Sequence, residues 1–108
     1  MVMRVFFSEQ LKTFVQPHDV VFAISGSGNS KNILNALQVA RELRATTVGI
    51  SGFHGGAMKS MCDHCIVVPS DDMQIIEDLH LAIAHSIFRF LQAKMSRRTL
   101  IASSQARR

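Results

Sequence analysis

One stretch constrains this chain more than any other. The apolar run Val20-Val21-Phe22-Ala23-Ile24 leads directly into Ser25-Gly26-Ser27-Gly28-Asn29-Ser30, and an amphipathic segment begins at Lys31. A continuous apolar run with β-branched residues is the pattern of a strand covered on both faces, which implies a parallel sheet with helices on either side. The six residues after it read as a tight turn into a helix N-terminus. Glycine there reaches backbone conformations closed to other residues, and the first helical turn presents unpaired N–H groups at the positive end of the macrodipole. The stretch is therefore a cradle for an anion. Hydroxyls from Ser25, Ser27 and Ser30 supply further donors to phosphate oxygens, with Gly28 and Asn29 between them shaping the loop. Asn29 is equally suited to the turn geometry alone, since asparagine tolerates the left-handed region. The Gly-Lys-Ser/Thr ending of a P-loop and the third glycine of a dinucleotide fingerprint are both absent. A hydroxyl-rich loop without lysine suits a small phosphate monoester better than a nucleoside triphosphate.

The remaining elements can be placed around that turn. Phe7, Leu11, Phe14 and Val15 recur at helical spacing over about residues 5–15, and Pro17 closes the segment. Ile33, Leu34, Leu37, Ala40 and Leu43 predict a helix from about Lys31 to Arg44 with one apolar face. Thr46 to Ile50 is a second strand with a glycine-rich exit, Ala57 to Met61 a short helix, and His64 to Val68 a third strand ended by Pro69. From Met73 to about Lys94 the positions Ile76, Leu79, Ile83, Ile87, Phe90 and Leu91 predict the longest helix, capped by Asp71 or Asp72. Alternating strands and helices imply parallel βαβ units with right-handed crossovers and a ligand crevice at the C-terminal ends of the strands. Three strands make a poor sheet, so the Val20 strand is expected to be central in the complete fold, with a partner on one side from elsewhere.

Charge and composition narrow the partners. The chain of 108 residues carries net charge +4, but Lys94, Arg97, Arg98, Arg107 and Arg108 lie in a tail that has no acidic residue. Without that tail seven basic residues stand against eight acidic ones, so the folded part is near neutral and nucleic acid is not the expected partner. Residues 95–108 read as a basic, disordered tail. No apolar run has the length of a membrane span, and Met1 to Phe7 lacks the features of a signal peptide, so a cytoplasmic location is expected. Cys62 and Cys65 are too few for a disulfide framework; a zinc reading of Cys62-Asp63-His64-Cys65 lacks further ligands, and a thioredoxin-like redox reading expects the C-x-x-C at a helix start after a strand, whereas this pair precedes a strand. They are expected to pack as small apolar residues.

Several segments, in order, then match one family. Ser25 to Ser30 with Lys31-Asn32-Ile33-Leu34 and Ala36, Gly52-Phe53-His54-Gly55-Gly56, Val68-Pro69-Ser70, and Ile76-Glu77-Asp78-Leu79-His80 ending in His85 resemble the C-terminal half of the sugar isomerase (SIS) domain, in its phosphoheptose isomerase branch. The resemblance covers about Phe7 to Leu91, which makes residues 1–94 a partial SIS domain. The expected fold is α/β, a three-layer αβα arrangement around a parallel sheet of the SIS and flavodoxin-like type, lacking its N-terminal strands. The resemblance implies homodimers or homotetramers with sites at subunit interfaces. It also implies interconversion of sedoheptulose 7-phosphate and the corresponding heptose 7-phosphate. In the family pattern Ser25, Ser27 and Ser30 bind the substrate phosphate, and His85 is the acid/base. Zinc is not required by the residues themselves, but the resemblance allows it at His85 and Glu77. The family's N-terminal loop and catalytic glutamate have no counterpart in this sequence, and Glu77 stands where the isomerases usually have glutamine.

Proton transfer between adjacent carbons needs a group that accepts and returns a proton near neutral pH, which suits histidine. On an ideal helix Glu77 and His85 lie about 80° apart and His80 about 140° from His85. Glu77 and His85 are therefore expected to border one cleft, with His80 facing elsewhere in a core or interface role. A reading from another class is a non-catalytic SIS module that binds phosphosugars or scaffolds an assembly, resembling replication-initiator-associating relatives; Glu77 in place of glutamine motivates it. Sugar-sensing transcription regulators share the domain, but no helix-turn-helix segment is evident.

Overall fold

The computed structural model describes residues 9–106. Phe7 of the first expected helix, and Arg107 and Arg108 of the expected tail, lie outside the described residues. Helix α1 covers residues 9–14. It is followed by β1 (Val20–Ile24), α2 (Lys31–Glu42), β2 (Thr46–Gly52), α3 (Met58–Met61), β3 (His64–Val68) and α4 (Met73–Ala106). The strands form one parallel sheet in the order β1-β2-β3, with Ala23 opposite Gly49 and Gly49 opposite Cys65.

Strand alternation sorts the side chains into two layers. Ala23 of β1 packs with Leu37 of α2 and Met58 of α3, and Ile33, Leu34 and Met61 close around them. Phe22, Ile24 and Ile50 instead line a groove with Ala84, Ile87, Phe88 and Leu91 of α4. Helices α2 and α3 thus cover one face of the sheet and α4 the other, which is the expected αβα order. Leu37, Ile50, Met58 and Ile76 are fully buried, and truncating any of them to Ala would cost about 2–5 kcal/mol.

Two helix boundaries differ from the sequence expectation. Helix α2 stops at Glu42 because Arg44 takes φ 64°, and Ala45 N–H donates to the Ala40 carbonyl at 3.0 Å. That is a Schellman-type ending with arginine where glycine is usual, so no glycine marked it in the sequence. Helix α4 does not end near Lys94 but continues to Ala106, so residues 95–106, read as a disordered tail, are helical here. Neither glycine nor proline follows Pro69, and residues such as Ala93, Lys94, Met95 and Arg97 favour helix. At its other end Asp72 Oδ1 accepts from Gln74 N–H at 3.0 Å, the expected cap. Among the described residues no helix is long and apolar enough to cross a membrane.

The start of β3 is fastened to β2 by a reciprocal pair. Asp63 Oδ2 accepts from Thr47 N–H at 2.8 Å and from its hydroxyl at 3.2 Å, while Asp63 N–H donates back to Thr47 Oγ1 at 3.0 Å. The backbone donor of Thr47 holds the Asp63 carboxyl below its ordinary value, with Arg41 and His64 adding to the effect.

Along β1, Val20, Phe22 and Ile24 remain 45–53% exposed on the side facing α4. Among the described residues nothing pairs with the outer edge of β1, which leaves main-chain groups and an apolar face open together. The 108-residue chain should therefore self-associate, and Phe22→Lys should shift it toward monomer in light scattering; a monodisperse wild-type monomer would contradict this. Arg44→Gly should relieve the left-handed strain and stabilise the fold by about 0.5–1 kcal/mol in urea denaturation.

Candidate functional site

The chemistry gathers where the sheet ends. Ser25 leaves β1 with its N–H still bonded to the Ile50 carbonyl, so the loop starts from a fixed point. Ser25 is buried and its hydroxyl oxygen accepts from Gly28 N–H at 3.1 Å. Ser27 Oγ accepts from Asn29 N–H at 3.1 Å. Ser30 is the N-cap residue of α2, and its hydroxyl makes no capping bond to the helix.

A second glycine loop, after β2, locks onto the first. Gly28 has φ 71°, and a Cβ there would run into the Gly55 carbonyl. Met58 N–H donates to the Gly28 carbonyl at 3.0 Å, and Ala57 N–H donates to Asn29 Oδ1 at 2.8 Å. Asn29 therefore clasps the two loops with its oxygen and keeps its amide NH₂ as a donor. Residues Ser27, Asn29, Phe53, His54 and Gly56 border a shallow pocket of about 350 Å³. Phe53 and His54 also line the adjoining 410 Å³ pocket with Pro69, Ser70 and Asp71.

On the α4 side, Glu77 and His80 line a pocket of about 360 Å³ with Ile24, Gly26, Leu81 and Ala84. His80 is 5% exposed and its Nε2 lies 2.8 Å from the Ser51 carbonyl oxygen at the end of β2, the geometry of a ring N–H donating to it. Gly26 links this pocket to the serine loop, because Met73 packs where a side chain at 26 would sit. His85 is exposed and is not among the residues lining the pocket. Within this chain the pocket groups Glu77 with His80, which share a side of α4 on helical geometry, and leaves His85 outside it, so His80 does not face away as expected. The reason is that Ile76, His80, Ile83 and Ile87 form one i, i+4, i+7, i+11 stripe facing the sheet.

Comparison with known proteins agrees with this fold. Residues 6–93 match the SIS domain. The chain belongs to the SIS domain family. A phosphoheptose isomerase of Bradyrhizobium sp. (strain BTAi1) is 45% identical over 89 residues, which are 82% of this chain and 45% of that protein. Phosphoheptose isomerase 1 of Campylobacter jejuni is 42% identical over 85 residues, 79% of this chain and 46% of its own length. The solved phosphoheptose isomerase of Francisella tularensis superposes with a TM-score of 0.74 at 31% identity, over 77% of this chain and 45% of that one. The SIS chain described here thus spans about half the length of the curated relatives it matches.

As a zinc site the residues present do not fit. Zinc takes four ligands, and among the described residues no three His, Cys, Asp or Glu side chains converge. Glu77 and His85, the pair expected for it, do not share a pocket. What the SIS chain does assemble is a serine loop fastened to a second glycine loop, beside an acidic residue and three pockets edged by histidine.

Phe53, His54 and Met73 were not singled out individually in the sequence, although the first two sit on the β2 exit loop, where the crevice of a parallel sheet opens. The interlock makes Gly28 the most sensitive position of the site. Gly28→Ala combines a left-handed φ with a collision against Gly55, and should lower stability by about 2 kcal/mol or more, read as a fall in the midpoint of thermal unfolding.

Proposed function

We propose that this chain is the phosphate-gripping part of a sugar-phosphate aldose–ketose isomerase of the phosphoheptose type, working as a homodimer or homotetramer. The observation that carries the reading is the serine loop. It is clasped rigidly at the C-terminal ends of the strands, with the Ser27 side chain in a pocket and Ser30 at the start of α2. The 45% and 42% identity to proteins named phosphoheptose isomerase supports the reaction class.

In this reading the phosphate of sedoheptulose 7-phosphate rests on the loop N–H groups and on the hydroxyls of Ser25, Ser27 and Ser30, held by the α2 dipole. Gly28 lets the backbone approach, and the Asn29 amide donates from the rim. The carbon chain runs toward Glu77, one residue contact from the loop through Gly26. His85 takes and returns the proton that moves between adjacent carbons, and Glu77 orients the substrate hydroxyls. His80 acts as a positioning residue, fixing α4 to the end of β2 through the Ser51 carbonyl. The exposed apolar side chains of α4 beside β1, among them Leu81, Phe88 and Phe90, form the surface that further sheet elements or a second subunit cover.

The test uses sedoheptulose 7-phosphate in two ways. Calorimetry on the 108-residue chain should detect binding that Ser27→Ala with Ser30→Ala weakens by about tenfold or more. Turnover to heptose 7-phosphate should appear when the chain is combined with the N-terminal half of the Bradyrhizobium relative, and His85→Ala should lower it by roughly 100-fold. Neither binding nor product, with or without added zinc, would overturn the proposal.

A further inference from the structure

A second pair of reactive groups lies on the opposite face of the sheet from α4. Cys62 follows α3 as its C-terminal cap, and Cys65 is the second residue of β3. Both are half-buried thiols. They converge on Gly49, the residue of β2 paired with Cys65. A Cβ placed on Gly49 would lie 2.8 Å from Cys62 Sγ, 2.8 Å from Met58 Cε and 3.5 Å from Cys65 Sγ, so both sulfurs border, with the Met58 methyl, the space that the missing side chain leaves. Ser51 Oγ lies 3.8 Å from Cys65 Sγ, so the surroundings are not wholly apolar. Both thiols are partly open to solvent and border the same point above Gly49.

We propose that Cys62 and Cys65 are a redox-active pair that closes to an intrachain disulfide above Gly49 in exchange with low-molecular-weight disulfides of the glutathione class. One protein thiolate attacks a sulfur of the reagent, forming a mixed disulfide and releasing one thiol. The second protein thiolate attacks the protein sulfur of that mixed disulfide and releases the other. One S–S bond forms in the protein and one breaks in the reagent. The two electrons lost by the cysteines reduce the reagent, and their two protons leave with the released thiols. Burial, together with Cys65 and Asp63 beside it, pushes the Cys62 thiol up.

A C-x-x-C segment also closes in an unfolded chain, so the test compares folded and unfolded states of the same protein. The 108-residue chain is equilibrated with graded ratios of oxidised to reduced glutathione, in buffer and in denaturing urea, then alkylated and weighed by mass spectrometry. The expected product is a single chain two hydrogens lighter that resists alkylation. Its oxidation constant in buffer should exceed that in urea by about tenfold or more, because the fold raises the effective concentration of one sulfur at the other. Phenylarsine oxide should bind one equivalent per native chain and fail to bind Cys62→Ser or Cys65→Ser, which instead carry a glutathione adduct. A native constant equal to or below the unfolded one overturns the proposal. So does native oxidation that yields only glutathione adducts or disulfides between chains.

Discussion

The site rests on the contact between two glycine loops that belong to different crossovers of the sheet. Gly28 and Asn29 come from the β1–α2 turn, and Gly55, Gly56 and Ala57 from the β2–α3 turn, and main-chain atoms of the two touch with no side chain between them. Such an approach is open only to residues without a Cβ, which is why three glycines with positive φ meet here. The consequence is rigidity where a phosphate cradle needs it. A loop of serines on its own would be ordered only by its ligand and would lose affinity to that ordering. Tied to Met58 and Ala57, it keeps its N–H groups in place beforehand.

The same clasp determines what the small helix α3 does. Four residues have little helical stability of their own. Met58 secures α3 twice over: its side chain is fully buried against Ala23 and Leu37, and its N–H bonds the Gly28 carbonyl. The core under the sheet and the geometry of the cradle are therefore one structure, and a cavity at position 58 would be felt in the loop.

Much of this was legible in the sequence because the signals were local. The run from Val20 to Ile24 and the turn at Ser25 to Ser30 specify a strand and a loop by residue type alone, and β3 falls at His64 to Val68 as its β-branched residues indicate. What was not legible depends on long-range contact. Arg44 ends α2 by adopting a conformation that its side chain does not favour, under the pull of the Ala45 to Ala40 bond. The helical angles between Glu77, His80 and His85 do not say which side of α4 meets the sheet. The stripe through Ile76, Ile83 and Ile87 carried that answer, with His80 in its one polar slot. Buried histidine in such a slot needs a partner, and no local pattern foretells that the partner is the carbonyl of Ser51.

Helix α4 shows how far the described fold is from closing on itself. One side of it meets the sheet through Ile76, His80 and Ile83, yet Ile75, Leu79, Leu81, Phe88 and Phe90 on its other sides are 44–66% exposed. Apolar residues spread over more than one side of a helix normally find cover on each of them. The open flank of β1 lies beside this surface, and the two merge in the apolar grooves lined by Val20, Phe22, Ile87, Phe90 and Leu91. His85 projects from the same helix and is likewise exposed. The serine-loop end of the site is thus built from contacts within this chain, whereas the face that carries His85 belongs to a surface whose composition calls for cover. A sugar phosphate anchored at Ser25 to Ser30 would reach from a finished wall toward an unfinished one, and the two ends of the site depend on different parts of the assembly.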